Sequence, residues 1–216
     1  MTNSIEVQGL RKSYGDFSLR DINLTVPGGA IMGLIGENGA GKTTTIKCIL
    51  NLIRRDEGTI TLLGHDNQRE ERAAKLEIGV VLDECFFHDS LRPRDIDLIL
   101  SRIYQGWDSA LYQRYLSKFQ LPERKFVKEF SRGMKMKLSL AAALSHRPKL
   151  LILDEATSGL DPIVRDEILD EFLGFIQDDD HAILISSHIT SDLEKAADYI
   201  TYIHQGQVVQ IGRAHV

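Results

Sequence analysis

The sequence lacks the features that mark several large classes of protein. Its 216 residues include only two cysteines, Cys48 and Cys85, and this pair has neither the spacing of a zinc site nor the number needed for a disulfide scaffold. No apolar run reaches the roughly 18–20 residues needed to cross a bilayer. The longest run, at 138–144, already contains Ser139. The sequence therefore offers no disulfide framework, no cysteine metal site and no membrane-spanning candidate.

A strong positive charge is also missing. Lysine and arginine number 26 against 31 aspartates and glutamates, which gives a net charge of -5 and excludes a globally basic nucleic-acid footprint. Residues 1–10 hold Asn3, Glu6 and Gln8 where a signal peptide needs an apolar core. With 43% hydrophobic and 26% charged residues, the composition is that of an ordinary globular protein. We expect a cytoplasmic protein with no nucleic-acid partner.

Short apolar runs alternate with helical stretches at both ends of the chain. The patterns predict strands at 5–7, 19–26, 31–35, 60–63, 78–82, 150–153 and 183–186, and helices at 43–52 and 163–176. The first two strands are expected to be antiparallel. Between 90 and 146 the sequence favours helices and has few strand candidates. This order predicts an α/β domain that carries a helical insertion.

The segment G-E-N-G-A-G-K-T at 36–43 fits the Walker A pattern of a phosphate-binding loop. The backbone can curl closely around phosphate groups because three positions are glycine: Gly36, Gly39 and Gly41. Lys42 would reach the β- and γ-phosphates, and the Thr43 hydroxyl would ligate Mg²⁺. A glycine-rich turn before an ordinary helix is the alternative. The apolar strand before the loop and the apolar-faced helix after it favour the phosphate loop.

A second candidate site lies at 150–155, where four apolar residues lead directly into Asp154 and Glu155. Placing charges at the end of a buried strand is costly unless they meet a cation or a substrate. Asp154 would hold Mg²⁺ through its water shell, and Glu155 would act as general base towards the attacking water. The alternative is a strand followed by an acid that caps a helix.

Together with S-G-L-D at 158–161 and S-S-H at 186–188, these motifs make the sequence resemble the nucleotide-binding subunit of an ABC transporter over essentially the whole chain. The resemblance implies a P-loop NTPase fold: a RecA-like α/β core, an N-terminal antiparallel β subdomain and an inserted helical subdomain. It implies one ABC ATPase domain over 1–216. Residues 1–83 and 149–216 would form the core, and 84–148 the helical subdomain with the signature motif.

The resemblance also implies roles for single residues. ATP and Mg²⁺ would be the ligands, and the phosphate loop would bind through Asn38, Ala40 and Thr44 as well as through the residues named above. Tyr14 would stack on adenine, although a surface turn tyrosine is the alternative. His188 would contact the γ-phosphate and orient water, which makes Lys42, Glu155 and His188 the catalytic set. Asp161 would lie at the interface between two subunits.

Two motifs depart from the commonest form of the family. The signature motif reads F-S-R-G-M at 130–134, in which Ser131 and Gly133 keep their roles towards a γ-phosphate on the opposite subunit, and Arg132 replaces a glycine. Asp83 stands where the family usually has glutamine, and it is interpreted as a metal or coupling residue. With Ala156 in place of the more common proline, these departures resemble the bacterial export branch with ABC-2-like permeases.

The mechanism implied by the resemblance is a cycle of dimer closure and opening. Two subunits would pack head to tail around ATP, as a homodimer or heterodimer, and hydrolysis would open them and drive a separate membrane permease. The chain would then be peripheral at the inner face of the cell membrane. Two alternatives stay open. One is an ABC ATPase acting on ribosomes, DNA or another soluble assembly, and the other is a catalytically poor regulatory nucleotide-binding module.

Overall fold

A six-stranded, mostly parallel sheet forms the centre of the protein. The computed structural model describes residues 2–213, so residue 1 and residues 214–216 of the predicted 1–216 domain lie outside the described part. The strand order is β10-β9-β3-β8-β7-β6, and only β10 runs antiparallel to its neighbour. The strands are β3 (Ile31–Ile35), β6 (Ile78–Val81), β7 (Leu150–Asp154), β8 (Ala182–Ser187), β9 (Tyr199–His204) and β10 (Gln207–Arg213).

A second, antiparallel sheet of four strands has the order β2-β1-β4-β5. Its strands are β1 (Asn3–Tyr14), β2 (Phe17–Pro27), β4 (Glu57–Leu62) and β5 (His65–Asp66). The hairpin of β1 and β2 closes at Tyr14, which pairs with Phe17, and Gly15 adopts a positive φ of 45° in the turn between them. The antiparallel pairing expected for the first two strands is therefore confirmed.

Seven α-helices occur within residues 2–213. They are α1 (Lys42–Ile49), α2 (Glu71–Leu76), α3 (Pro93–Ile103), α4 (Ser109–Lys118), α5 (Arg132–Leu144), α6 (Pro162–Phe175) and α7 (Thr190–Ala196). Three of them, α3, α4 and α5, lie between β6 and β7, in the region where the sequence favoured helices. None of the helices within 2–213 is long and apolar enough to span a membrane.

The two faces of the parallel sheet bury two hydrophobic clusters. Along β7 the side chains alternate, with Leu151 and Leu153 in one cluster and Leu150 and Ile152 in the other. The first cluster is shared with α4, α5 and α6, and the second with α1 and the antiparallel sheet. Because both faces are covered, β7 is fully buried, as the run of four apolar residues predicted.

The predicted α/β class with an antiparallel part and a helical insertion is confirmed. The sequence patterns did not single out β5, α2, α7, β9 or β10, which are short or only partly buried. Tyr112, in the helical region, is fully buried and its hydroxyl donates to the carbonyl oxygen of Pro93 at 3.2 Å.

Candidate active site

The candidate site lies where the carboxyl ends of β3, β7 and β8 meet. These strands are parallel and adjacent, with Ile35 opposite Ser187 and Asp154 opposite Ser186. Residues that directly follow the three strands are therefore brought to one edge of the sheet. In open α/β sheets this carboxyl edge is where ligands bind.

The loop at 36–41 after β3 requires glycine at defined positions. A Cβ on Gly36 would lie 2.3 Å from the carbonyl oxygen of Ile203 in β9, so no side chain fits there. Gly39 and Gly41 adopt positive φ values of 81° and 117°. The amide of Gly206 donates to the carbonyl oxygen of Ala40 at 2.9 Å. The loop is thus held from behind by the β9–β10 hairpin, while Gly39 and its neighbour Asn38 are exposed.

The first turn of α1 is open to an anion. Its N-cap residue, Gly41, has no side chain that could accept a hydrogen bond from the first amides of the helix. Lys42, Thr43 and Thr44 supply those amides. An uncapped helix N-terminus preceded by a curled glycine loop is the arrangement that binds phosphate groups. The residues present therefore fit a nucleotide polyphosphate.

Lys42 is held in place before any ligand binds. Its side chain is only 5% exposed, and Nζ donates to the carbonyl oxygen of Gly36 at 2.7 Å and of Glu37 at 3.3 Å. Glu155 Oε1 lies 3.3 Å from the same Nζ. The ammonium group is therefore pointed along the loop and neutralised by a carboxylate from the end of β7.

Glu155 connects this lysine with His188. Its backbone has a positive φ of 53°, and its amide donates to Ser186 Oγ at 3.0 Å. Glu155 Oε2 lies 2.6 Å from His188 Nδ1, and because a carboxylate only accepts, Nδ1 carries the hydrogen. Nε2 of the ring is then left for another partner. The structure thus brings the three residues predicted as catalytic into one cluster.

Asp154 is a buried carboxylate on the other side of the same strand end, 1% exposed. Ser186 Oγ donates to Asp154 Oδ1 at 2.6 Å. Burial raises the pKa of Asp154, hydrogen bonds from Ser186 and Thr43 oppose this rise, and the charges of Asp83 and Glu155 add to it. A carboxylate that is desolvated and surrounded by other acids fits a bound cation.

The metal residues predicted from the sequence, Thr43, Asp83 and Asp154, lie close enough to influence one another in this way. Within residues 2–213 no group of three or more histidine, cysteine or acidic side chains could hold a metal ion by itself. Mg²⁺ usually takes one or two protein oxygens and fills its octahedron with water and substrate phosphates. The donor set therefore fits Mg²⁺ bound together with a nucleotide.

Tyr14 is the last residue of β1, at the turn of the hairpin. It is 45% exposed, and its ring is approached by Lys12 Nζ at 5.3 Å from the centroid. The ring of its strand partner Phe17 comes within 3.0 Å of the place where a Cβ on Gly41 would lie. The aromatic ring beside the loop is therefore that of Phe17, and stacking of Tyr14 on adenine stays a prediction.

Ser131, Gly133 and Asp161 are not part of this cluster. Within residues 2–213 no hydrogen bond or ion pair joins 131–133 to the loop and helix start at 36–44. Ser131 caps α5 by accepting a hydrogen bond from the Met134 amide at 3.2 Å, and Asp161 caps α6 in the same way. The Arg132 side chain approaches the loop at 155–161: a Cβ placed on Gly159 would lie 2.8 Å from its guanidinium.

Sequence reasoning did not assign Ser186 a role in the site. Its hydroxyl donates to the Asp154 carboxylate, and its hydroxyl and carbonyl oxygens accept hydrogen bonds from the Glu155 amide, so it fixes one carboxylate and the backbone of the next residue. The S-S-H motif contained the signal, since a small hydroxyl residue directly beside an acidic strand end can pair with it across a parallel ladder. The support of the loop by Ile203 and Gly206 had no local signal.

Comparison with known proteins agrees with this geometry. Residues 19–158 match the family model described as ABC transporter. The chain is 36% identical to the bacitracin transport ATP-binding protein BcrA of Enterococcus faecalis, over 95% of this chain and 68% of that protein. It is also 36% identical to the lantibiotic transport ATP-binding protein SrtF of Streptococcus pyogenes, over 95% of this chain and 89% of that protein.

The chain belongs to the ABC transporter family. It is an ATP-binding subunit and an ATPase of this family, and the predicted resemblance to the export branch is confirmed by its antibiotic-transport relatives. A solved structure described as the ATP binding subunit of an ABC transporter is 29% identical, with a TM-score of 0.87 over 97% of this chain and 89% of that one.

A dimeric ATP-binding cassette in a post-hydrolysis state, bound to ADP and Pi, is 20% identical. Its TM-score is 0.86 over 98% of this chain and 99% of that one. At this identity the likeness shows the ABC ATPase fold alone.

Replacing Asp154 by asparagine is expected to stabilise the nucleotide-free ABC subunit at neutral pH. The raised pKa means that the folded chain favours the protonated carboxyl. Its stabilising contribution is complete below the ordinary value of 3.8 and is lost as the pH rises through the raised value. Asp154→Asn keeps an Oδ1 acceptor for Ser186 without the buried charge. Thermal melting at pH 7 and pH 4 should show a higher midpoint for the variant at pH 7 and a smaller difference at pH 4.

Asp56 provides the control of opposite sign. Hydrogen bonds from the Lys12 ammonium and the Ser13 amide lower its pKa. Its stabilising contribution is therefore present above pH 3.8 and lost as the pH falls through the lowered value, and Asp56→Asn should lower the midpoint at pH 7. A lower midpoint for Asp154→Asn at pH 7 would contradict the account of Asp154.

Proposed function

We propose that this ABC subunit hydrolyses ATP in a head-to-tail dimer, homomeric or heteromeric, in which each nucleotide lies between the phosphate loop of one chain and Ser131 and Gly133 of the other. The observation that carries the proposal is that the predicted site residues fall into two separate groups. Lys42, Glu155 and His188 converge on the phosphate loop, whereas the exposed Ser131 and Asp161 make no contact with it in the single chain. A second copy would complete the site.

Exposed groups near α6 support such a contact. Asp161 is exposed at the start of α6, and Ile163 beside it is 74% exposed. A single exposed apolar side chain is common on a protein surface and does not by itself mark an interface, but these exposed groups leave the start of α6 accessible to a second chain. Gly133 in α5 lies close to Val164 in α6, so the N-terminal ends of the two helices lie side by side.

In the proposed reaction Glu155 is the general base. When ATP binds, the ammonium group of Lys42 pairs with the β- and γ-phosphates instead of with Glu155. This frees one carboxylate oxygen of Glu155 to accept a proton from the attacking water. His188 donates from Nδ1 to Glu155 Oε2, which leaves Nε2 to contact the γ-phosphate and the attacking water. Amides of 39–44 hold the remaining phosphate charge.

Mg²⁺ would be held by Thr43 and, through water, by Asp154 and Asp83. When bound it supplies positive charge at the β- and γ-phosphate oxygens. Asp83 is exposed and follows β6 by two residues, so its side chain is accessible to a bound cation. Tyr14 would stack on the adenine, and aromatic–base stacking is worth about 1–3 kcal/mol in nucleic-acid complexes.

The departures at Arg132 and Asp83 do not favour a catalytically poor module. The Arg132 guanidinium lies against the Gly159 backbone, so it leaves the Ser131 hydroxyl and the start of α5 uncovered. Asp83 adds negative charge beside Asp154, and a bound cation would neutralise that charge. The close approach of Glu155 to both Lys42 and His188 is the arrangement that hydrolysis needs, and it supports an active ATPase.

The membrane partner would dock in an apolar groove of about 590 Å³ between α1, β6 and the helical region. Its walls include Leu50, Leu52, Val80, Phe86, Leu100 and Ala142. Phe86 is 74% and Leu52 55% exposed, and Phe86 follows Asp83 by three residues in the same loop. Movement of that loop on nucleotide binding would change the shape of the groove. We propose that a helix of a separate permease binds here, which places the chain at the inner face of the cell membrane.

The proposed domain organisation follows from the shared core. The chain would be one ABC ATPase domain, with 84–148 as its helical subdomain and the remaining residues as its α/β core. One hydrophobic cluster runs without a break from Tyr112 and Leu140 in the helices to Leu151 and Ile183 in the sheet. The helical part is thus packed onto the sheet rather than tethered to it.

The general-base assignment is tested by Glu155→Gln. The variant keeps the shape of the side chain but cannot take a proton, so ATP turnover should fall about 100- to 10,000-fold. Affinity for a fluorescent ATP analogue should be retained, since the loop at 36–44 is intact. Size-exclusion chromatography with ATP and Mg²⁺ should show a dimer that persists in the variant and decays in the wild type.

Glu194→Gln, which changes an exposed carboxylate on α7, is the matched control and should leave turnover unchanged. Equal phosphate release by the wild type and Glu155→Gln would contradict the assignment and favour the regulatory module.

The groove is tested by Phe86→Asp. A carboxylate in the apolar wall should abolish copurification of a multi-span membrane protein from detergent-solubilised membranes and leave ATP turnover intact. Val209→Asp, at a 62% exposed position on β10, is the control and should retain the partner. Recovery of ribosomal or other soluble partners instead, with no membrane protein, would overturn the permease proposal.

A further inference from the structure

The two loops that carry the proposed catalytic residues are joined twice. At the strand ends, Glu155 after β7 meets His188 after β8 at 2.6 Å. At the starts of the following helices, Arg165 in α6 faces Asp192 in α7, with Nη1 3.7 Å from Oδ1. The loops at 155–161 and 188–189 therefore form a closed ring with the two contacts.

Arg165 holds the first loop as well as the second helix. Its Nη2 donates to the carbonyl oxygen of Leu160 at 3.3 Å, directly beside Asp161. The planar fork of a guanidinium fixes its two terminal nitrogens relative to each other. A displacement of Leu160 must therefore move the group that faces Asp192. Asp192 lies four residues after His188, within the first turn of α7.

The burial of this pair indicates a role other than stability. The Asp192 side chain is 3% exposed and that of Arg165 is 24% exposed. Within residues 2–213, Arg165 Nε and Asp192 Oδ2 are buried without a hydrogen-bond partner. A buried and incompletely bonded ion pair costs desolvation energy that its attraction does not fully return. Holding α6 to α7 does not require such a pair.

A neighbouring ion pair already joins the same helices. Lys195 Nζ lies 2.9 Å from Asp166 Oδ1 at the surface, with side chains 62% and 59% exposed. It is shorter than the buried pair, and it carries little desolvation cost because both side chains are mostly exposed. Within residues 2–213 neither side chain forms a hydrogen bond or ion pair with the loop at 155–161. The buried pair differs because Arg165 also bonds the loop, at the carbonyl oxygen of Leu160, while Asp192 meets Arg165 from the start of α7.

We infer that Arg165 and Asp192 are positioning residues that couple the loop carrying Asp161 to His188. The inference rests on the proposed function, in which the partner subunit meets Asp161 and His188 orients the attacking water. Docking of the partner then sets the position of Leu160. Arg165, which bonds Leu160, moves with it and shifts Asp192. Because Asp192 lies at the start of α7, this shift sets the position of His188 relative to Glu155.

Steady-state ATP turnover of the purified chain tests the inference with Asp192→Asn, Arg165→Gln and the double variant. Misplacement of His188 should lower kcat about 10- to 100-fold in each. KM and the affinity for a fluorescent ATP analogue should change less than about twofold, because the phosphate loop is untouched. The double variant should be no slower than the single ones, since both remove one connection.

Asp166→Asn, which breaks the surface pair between the same helices, is the matched control and should keep wild-type kcat. Arg165→Lys keeps the charge but loses the fork, so it should be nearly as slow as Arg165→Gln even if Asp192→Asn fails to fold. Wild-type kcat in Asp192→Asn or Arg165→Lys, or an equal loss in Asp166→Asn, would overturn the inference. A wild type no faster than Glu155→Gln would instead overturn the proposed function.

Discussion

The site depends on where a buried ammonium group finds its partners. Lys42 Nζ is removed from water, and a buried charge costs several kcal/mol unless it is paired and hydrogen-bonded. The loop supplies two carbonyl oxygens, from Gly36 and Glu37, and the end of β7 supplies Glu155. The same carboxylate is the proposed base. In the proposed reaction, phosphate that pairs with Lys42 would release Glu155, so that binding of the nucleotide would also prepare the base.

The backbone that makes this pairing possible is strained and held from several sides. Glu155 has a positive φ, which for a residue other than glycine costs of order 1–3 kcal/mol and persists only where its surroundings impose it. Ser186 imposes it by binding the Glu155 amide and, through the same hydroxyl, the carboxylate of Asp154. On the opposite side β9 leaves no room for a side chain at Gly36. Strain and close packing together fix the distance between loop and base.

The sequence predicted the parts of the fold that depend on local pattern. Continuous apolar runs identify β3, β7 and β8 because strands buried on both faces need apolar residues throughout. The order of residue types at 36–43 identifies a phosphate loop because few other structures require glycine, lysine and threonine at those spacings. Grouping of Glu155 with Lys42 follows once β3 and β7 are placed parallel to each other on the two sides of β8.

The sequence could not show contacts that depend on tertiary packing. Arg165 and Asp192 are separated by a helix and a strand, and each alone resembles an ordinary charge on an amphipathic helix. Strands β9 and β10 were not singled out because their outer faces are polar and partly exposed. Arg132 was recognised as a departure, but its contact with Gly159 depends on how α5 and the loop at 155–161 approach each other.

The most direct test of the account is a crystal structure of the Glu155→Gln chain with ATP and Mg²⁺. We expect two chains related head to tail, each nucleotide lying between the loop at 36–44 of one chain and Ser131 and Gly133 of the other. Lys42 should have moved from residue 155 to the phosphates, and His188 Nε2 should face the γ-phosphate. A nucleotide bound by a single chain at another place, or Lys42 still paired with residue 155, would contradict the account.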